Sequence, residues 1–197
     1  MEQTQEKGFL QRNMKWLVVL AVLVVLAFWA VGIKNGFVKS NESITAQWSQ
    51  VENQYQRRFD LIPNIVNTVK GVAAQETAVF TAIADARTKY SGATTPDQKA
   101  QAASQVEGAL GRLLVIAEAY PTLQSSQAYR DLIVSLEGTE NRISVERMKY
   151  NDLVKVFNTS VKVFPSSLVA MIFGVDERAY FEVSDAAQVN PVVDFTN

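Results

Sequence analysis

The chain has 197 residues, with 19 basic against 20 acidic side chains and neither cysteine nor histidine. A net charge of −1 without long runs of one sign leaves no electrostatic footprint for nucleic acid. The missing residue types exclude thiol nucleophiles, disulfides, imidazole general bases and most zinc sites. Once an N-terminal anchor is set aside, roughly 160 residues remain, enough for one domain with its own core.

Trp16 to Ile33 reads WLVVLAVLVVLAFWAVGI, 18 residues without a charge. As a helix this run is about 27 Å long, close to one hydrocarbon thickness. Twelve of its residues are Leu, Val, Ile or Phe, which makes insertion favourable by about 4 to 7 kcal/mol before polar corrections. Trp16 and Trp29 stand near the two ends, where indole rings prefer the interface. A cleaved signal peptide is the competing reading, because Ala30 and Gly32 put small residues at the peptidase positions. Against it, the run exceeds a usual apolar core of such a peptide and bulky Phe28 and Trp29 precede the site. Lys7, Arg12 and Lys15 before the run, against Lys34 and Lys39 after it, favour a cytoplasmic N-terminus and an exported main domain.

After Ser40 or Asn41, apolar positions recur at Ile44, Trp48, Val51, Tyr55, Phe59 and Ile62 in alternating steps of four and three, which is a helical stripe. The pattern runs on through Ile65, Val69, Val72, Ala73, Val79, Phe80 and Ile83 and stops near Tyr90, where Ser91 and Gly92 supply an end. Pro63 interrupts it. Proline removes one backbone bond and crowds the preceding turn, so a kink or short break is expected around Asp60 to Asn64, with Asp60 as cap of the second half. Thr95, Pro96, Asp97 and Gln98 form a capping box that opens the next helix. Its apolar face runs from Ala102 to Tyr120, and Pro121 closes it.

The third helix opens near Ser125 or Ser126. Tyr129, Ile133, Leu136, Glu140, Ile143, Arg147, Tyr150, Val154, Phe157, Val161 and Phe164 alternate fours and threes, and nine of the eleven are apolar. Such a 3.5 repeat makes a seam that packs on another helix. A short amphipathic piece from Ser166 to Phe173 follows Pro165. Pro191, Val192, Val193 and Phe195 give the tail an apolar patch able to dock. The fold expected is all-α: a transmembrane helix followed by an elongated up-and-down bundle of three long helices plus a short fourth. The corresponding segments are 1–15, a cytoplasmic tail; 16–33, the span; 34–173, the exported bundle; and 174–197, a C-terminal tail.

These motifs resemble those of the LemA proteins of bacteria. Arg57 to Gly71, RRFDLIPNIVNTVKG, carries the most specific part of the likeness. Glu118 to Leu123, EAYPTL, Glu140 to Asn151, ENRISVERMKYN, Phe164 to Gly174, FPSSLVAMIFG, and the final VVDF, Val192 to Phe195, follow in the family's order. The resemblance implies a membrane-anchored helical bundle with no established enzymatic activity. The chain departs from the family pattern at Gln75 before Glu76, where histidine is expected, and at Asn158 after Phe157, where tyrosine is usual.

Three groups are candidate sites. Glu140 and Arg147 fall on the apolar seam of the third helix; as a polar site they would face a partner, but as buried charges they more often fix register. Arg57, Arg58 and Asp60 lie beside Pro63, where an anion or headgroup site competes with a salt-bridged helix junction. Trp48 and Tyr55 read as core residues, the alternative being an exposed aromatic stripe for self-association. Ser166 and Ser167 read as helix caps. No catalytic centre, metal or cofactor is expected. A carboxylate enzyme would need Asp60, Glu118 and Glu140 brought to one point, and a ligand-binding module would need a cavity behind Pro63. An aromatic-lined seam on an anchor points to an envelope scaffold, held in the lipid bilayer through 16–33, homo-oligomeric, and open to other envelope proteins, and the resemblance implies that the membrane is the bacterial inner one.

Overall fold

In the computed structural model the described residues are 3–181, with side chains from residue 13 onward. The expected docking patch at Pro191 to Phe195 and the side chains of Lys7 and Arg12 therefore lie outside the described residues. Among the described residues there is no strand. Six helices follow in order: α1 (Gln3–Lys70), α2 (Thr77–Gly92), α3 (Pro96–Glu118), α4 (Pro121–Gln124), α5 (Gln127–Lys162) and α6 (Ser166–Phe173).

The first long helical stretch is broken elsewhere than expected. Helix α1 runs through Pro63 without interruption, because Ile62 and Ile65 on either side are buried in the core and hold the backbone on course. A mid-helix proline costs about 3 kcal/mol, an amount that burying two isoleucines offsets. Asp60 is exposed and caps nothing; it accepts a hydrogen bond from Gln56 Nε2 at 2.9 Å. The chain turns instead between Gly71 and Glu76. There the N–H groups of Val72 and Ala73 both fold back on the Val69 carbonyl, the tightened ending that consumes orphan acceptors. Helix α2 is consequently separate, and with the single-turn α4 there are two more helices than the periodicity implied.

The later boundaries follow the local chemistry. At the start of α3, Gln98 N–H donates to Thr95 Oγ1 at 3.3 Å while Thr95 N–H donates to Gln98 Oε1 at 3.4 Å, the reciprocal capping box. Gly174 ends α6 with φ 63°, a left-handed position glycine adopts without a Cβ penalty, and Val175 N–H reaches back to the Ala170 carbonyl at 2.9 Å. Ser166 does not cap α6. Its hydroxyl donates to the Ser160 and Val163 carbonyls at the end of α5, tying off that helix instead.

The described residues divide into two compact units, one of 3–43 with 156–178, the other of 44–155 with 179–181. In the larger unit the cross-helix pairings give an up-and-down bundle. Tyr90 of α2 packs on Tyr55 and Phe59 of α1 while Phe80 receives Lys70, so these two helices are antiparallel. Lys99 and Glu107 of α3 pair with Glu52 and Arg58 of α1 in the same sense. Gln47, Trp48 and Arg58 of α1 meet Glu146, Tyr150 and Glu140 of α5 in reverse order. Val51, Ile65, Val69, Leu113, Ile143 and Val154 are fully buried between them, each contributing about 1.5 to 3 kcal/mol of hydrophobic stabilisation.

In the smaller unit, Phe37 of α1 meets Phe157 of α5 edge-on, with ring centroids 6.2 Å apart, and Val169 and Ala170 of α6 are buried. Here the seam ends earlier than its periodicity suggested. Helix α5 stops at Lys162, and Phe164 stands 74% exposed. The apolar run from Trp16 to Ile33 lies on α1 with none of its membrane-length window buried. It is long and apolar enough to cross a membrane.

Candidate functional site

The most unusual feature of the larger unit is a group of ionised side chains in its interior. Arg58 of α1, Glu107 of α3, and Glu140 and Arg147 of α5 converge there, two cations and two carboxylates. Arg58 pairs closely with Glu140 and stands 4.0 Å from Glu107; Arg147 donates to the same Glu107 oxygen at 3.2 Å. Tyr55 Oη donates to that oxygen as well, at 3.1 Å. The side chains of Arg58 and Arg147 are only 7% and 11% exposed, Glu107 21%, and Glu140 44%.

Each member reaches this point because its helix faces the core there. Arg58 sits three residues after Tyr55 and four before Ile62, and Glu107 four after Ala103 and three before Leu110; all four of those apolar neighbours are buried. Phe181 closes one side, its ring 4.5 Å from the Arg147 guanidinium and 5.8 Å from Trp48. Phe181 is itself held by Asn151, whose amide accepts from Phe181 N–H at 2.8 Å and donates to its carbonyl at 3.0 Å. In the smaller unit Asn158 grips the Arg178 backbone in the same two-bond way, at 2.8 Å each. The tyrosine that the resemblance leads one to expect at 158 would offer one hydroxyl in place of the amide's separate donor and acceptor atoms.

The cluster is balanced in formal charge, with its driest carboxylate at Glu107. Burial pushes the Glu107 carboxyl above the usual range. Arg147 pulls it back, Glu140 pushes it up again, and Arg58 and the Tyr55 hydrogen bond lower it. Burial also raises the Tyr55 phenol, with Glu107 adding to the effect. Arg58 Nε and the Tyr90 hydroxyl are buried without a hydrogen-bond partner among the described residues. Desolvation offsets most of the attraction within an ion cluster of this kind, so its presence is weak evidence of added stability.

Of the residues singled out from sequence, Arg58, Glu140, Arg147 and Tyr55 come together here, and Trp48 packs beside them. Half-buried Trp48 meets Tyr150 edge-on at 5.3 Å and Tyr55 is buried, so no exposed aromatic stripe runs through residues 44–62 of α1. Arg57, Asp60 and Pro63 are exposed and take no part. Glu107 was not anticipated, although it stands on the apolar face of α3 at the spacing that marked Glu140 and Arg147. The three carboxylates of the enzyme reading are not joined: Asp60 pairs with Gln56, Glu140 with Arg58, and Glu118 is exposed. Among the described residues no three His, Cys, Asp or Glu groups are placed to hold a metal ion.

Behind Pro63 lies an open groove of about 580 Å³ between α1 and α2, lined by Ile62, Pro63, Val66, Phe80 and Ile83 with Lys70 and Arg87 at its edge.

These features define a class: a protein helical throughout its regular described structure, whose N-terminal helix carries a membrane-length apolar run and whose bundle holds an internal charge cluster. The family pattern described as the LemA family matches residues 47–195, and the chain belongs to that family. It is similar to magnetosome proteins MamQ 1 and MamQ 2 of Paramagnetospirillum magneticum, each 30% identical over 205 residues covering 90% of this chain and 75% of theirs. Magnetosome protein MamQ of Magnetospirillum gryphiswaldense is 27% identical over the same coverage.

Proposed function

We propose that this protein is a membrane-anchored, non-enzymatic scaffold of the bacterial envelope, whose bundle associates laterally with copies of itself or with other envelope proteins. The observation that carries the reading is the wholly unburied apolar run of 16–33 on the same helix that further along forms one wall of the bundle. Tethering of this kind confines the bundle to a plane and raises its effective concentration, so weak lateral contacts suffice. The strong charges of the interior are neutralised within the bundle, which supports a structural use of them rather than a chemical one. Exposed Val145 and Met148, on neighbouring lines of one face of α5, support a surface for lateral contact. In this reading the anchor sits in the cytoplasmic membrane, with the bundle on the far side. The relatives' magnetosome role is theirs by name, and the scaffold reading stands without it.

Mass photometry or cryo-electron microscopy of the full-length protein in mild detergent tests the proposal. Large homogeneous particles are expected. A monomer at every concentration would eliminate self-assembly.

A second reading, an exported ligand-binding module, is favoured by the groove at Pro63, which joins an apolar floor to two cations and no carboxylate. It calls for an anionic amphiphile or acidic peptide that raises the melting temperature in a concentration-dependent way, with the response abolished by Arg87→Glu.

A further inference from the structure

The smaller unit carries a second apolar surface besides the span. Helix α6 has no charged residue, and only Val169 and Ala170 of it are buried. Leu168, Met171 and Ile172 point outward at i, i+3 and i+4, with Met171 and Ile172 79% and 75% exposed. The preceding turn adds Val163 and Phe164, both exposed, so an apolar ridge continues from the end of α5 onto α6. A soluble surface rarely leaves side chains of this size in one contiguous patch.

Its place fixes what covers it. Lys34 follows Ile33, the last residue of the apolar run, by a single helical step of about 1.5 Å. The Lys34 ammonium lies 4.6 Å from the centre of the Phe173 ring at the end of α6. Phe173 therefore stands at the level where the span emerges from the hydrocarbon, and the cation between them is the residue type that marks a headgroup boundary. Helix α6 also leaves the axis of α5 at 92°, so it lies across the end of that helix rather than extending it. A short helix with one buried face, an uncharged apolar outer face and a lysine at its edge suits the plane between headgroups and acyl chains.

We propose that α6 and the turn before it are a second membrane contact: Phe164, Leu168, Met171 and Ile172 enter the acyl boundary of the bilayer that the N-terminal helix spans. The inference rests on the anchor reading above. It gives the smaller unit a fixed height and rotation on the membrane, because two points of contact remove the swivel that a single span allows.

The chain contains no cysteine, so single nitroxide labels can be placed on the full-length protein at Leu23→Cys, Ile172→Cys and Val134→Cys. Val134 is the aqueous control: it is exposed, and it lies 28 residues before Lys162, about 42 Å along α5. The proteins are reconstituted into phosphatidylcholine and phosphatidylglycerol vesicles, and collision with oxygen is compared with collision with a water-soluble nickel chelate. The expected oxygen-to-nickel ratio at Ile172 is severalfold above that at Val134 and below that at Leu23. A ratio at Ile172 equal to Val134, with Leu23 still in lipid, overturns the second contact and leaves the anchor standing. A water-like Leu23 overturns both. A label at Ile172 shielded from both reagents, with spectral broadening from a neighbouring spin, means that a second copy occupies this face, and bilayer docking fails.

Discussion

The two units handle unfavourable surface in opposite ways. The larger unit takes charge out of water and neutralises it among Arg58, Glu107, Glu140 and Arg147. The smaller unit leaves apolar side chains uncovered along 16–33 and over α6. The first solution is a matter of geometry, since each ion depends on partners placed within a few ångströms. The second depends on the surrounding medium, since any apolar side chain of similar size serves equally in lipid.

The comparison breaks most visibly if the central carboxylate is removed. Glu107→Ala strands the buried Arg147 guanidinium, leaves Arg58 with Glu140 alone and deprives the Tyr55 hydroxyl of its acceptor, and a loss of about 3 to 5 kcal/mol is expected. Urea denaturation in detergent reads it, and a loss under 1 kcal/mol would mean that water replaces the carboxylate and the interior is not dry. In the other unit Leu23→Arg, near the middle of the apolar run, should cost about 2.5 to 3.5 kcal/mol of insertion. The readout is the fraction recovered with membranes, while exchange of Val24 for Leu leaves that fraction unchanged. Full membrane recovery of the arginine variant would refute the span.

What the sequence made legible divides along the same line. A charge-free run of 18 residues marks the span by itself, because the bilayer asks only for length and apolarity. The charges at Glu140 and Arg147 stood out because they interrupt an otherwise apolar seam. Glu107 interrupts an apolar face in the same manner, yet the alanines around it on α3 make that face faint, and it passed unnoticed. Arg58 was singled out for its closeness to Pro63, a feature it does not use; its real partners are 49 and 82 residues away, a separation no local pattern encodes. The break at Gly71 to Glu76 was hidden because apolar spacing continues across it, whereas Pro63 advertised a break that burial of Ile62 and Ile65 suppresses. The exposed face of α6 looks in sequence like any core helix, and only its surroundings reveal that one side faces outward.

Within the cluster, exposure ranks the members. Glu140 is nearly half exposed, so water can replace much of what Arg58 offers, and Glu140→Gln should cost about 1 kcal/mol. A cost equal to that of Glu107→Ala would place both carboxylates in equally dry surroundings and contradict their different exposures.

The smallest expected effect is also the most diagnostic of burial. Burial raises the Glu107 carboxyl, and the two arginines only partly reverse it. Between the ordinary carboxylate pKa and this raised one, the folded protein holds a proton that the unfolded chain has released, so stability falls as pH rises through that window. Below it both states are protonated and the contribution is fully present. Glu107→Gln keeps the shape and an acceptor for Tyr55 but cannot titrate. The stability difference between the parent and this variant should therefore decline as pH is raised from the acidic side through the window and level off above it. A difference that instead grows with pH would show that Arg147 and Arg58 outweigh desolvation, and the cluster would then be a source of stability rather than a device that sets how the three helices align.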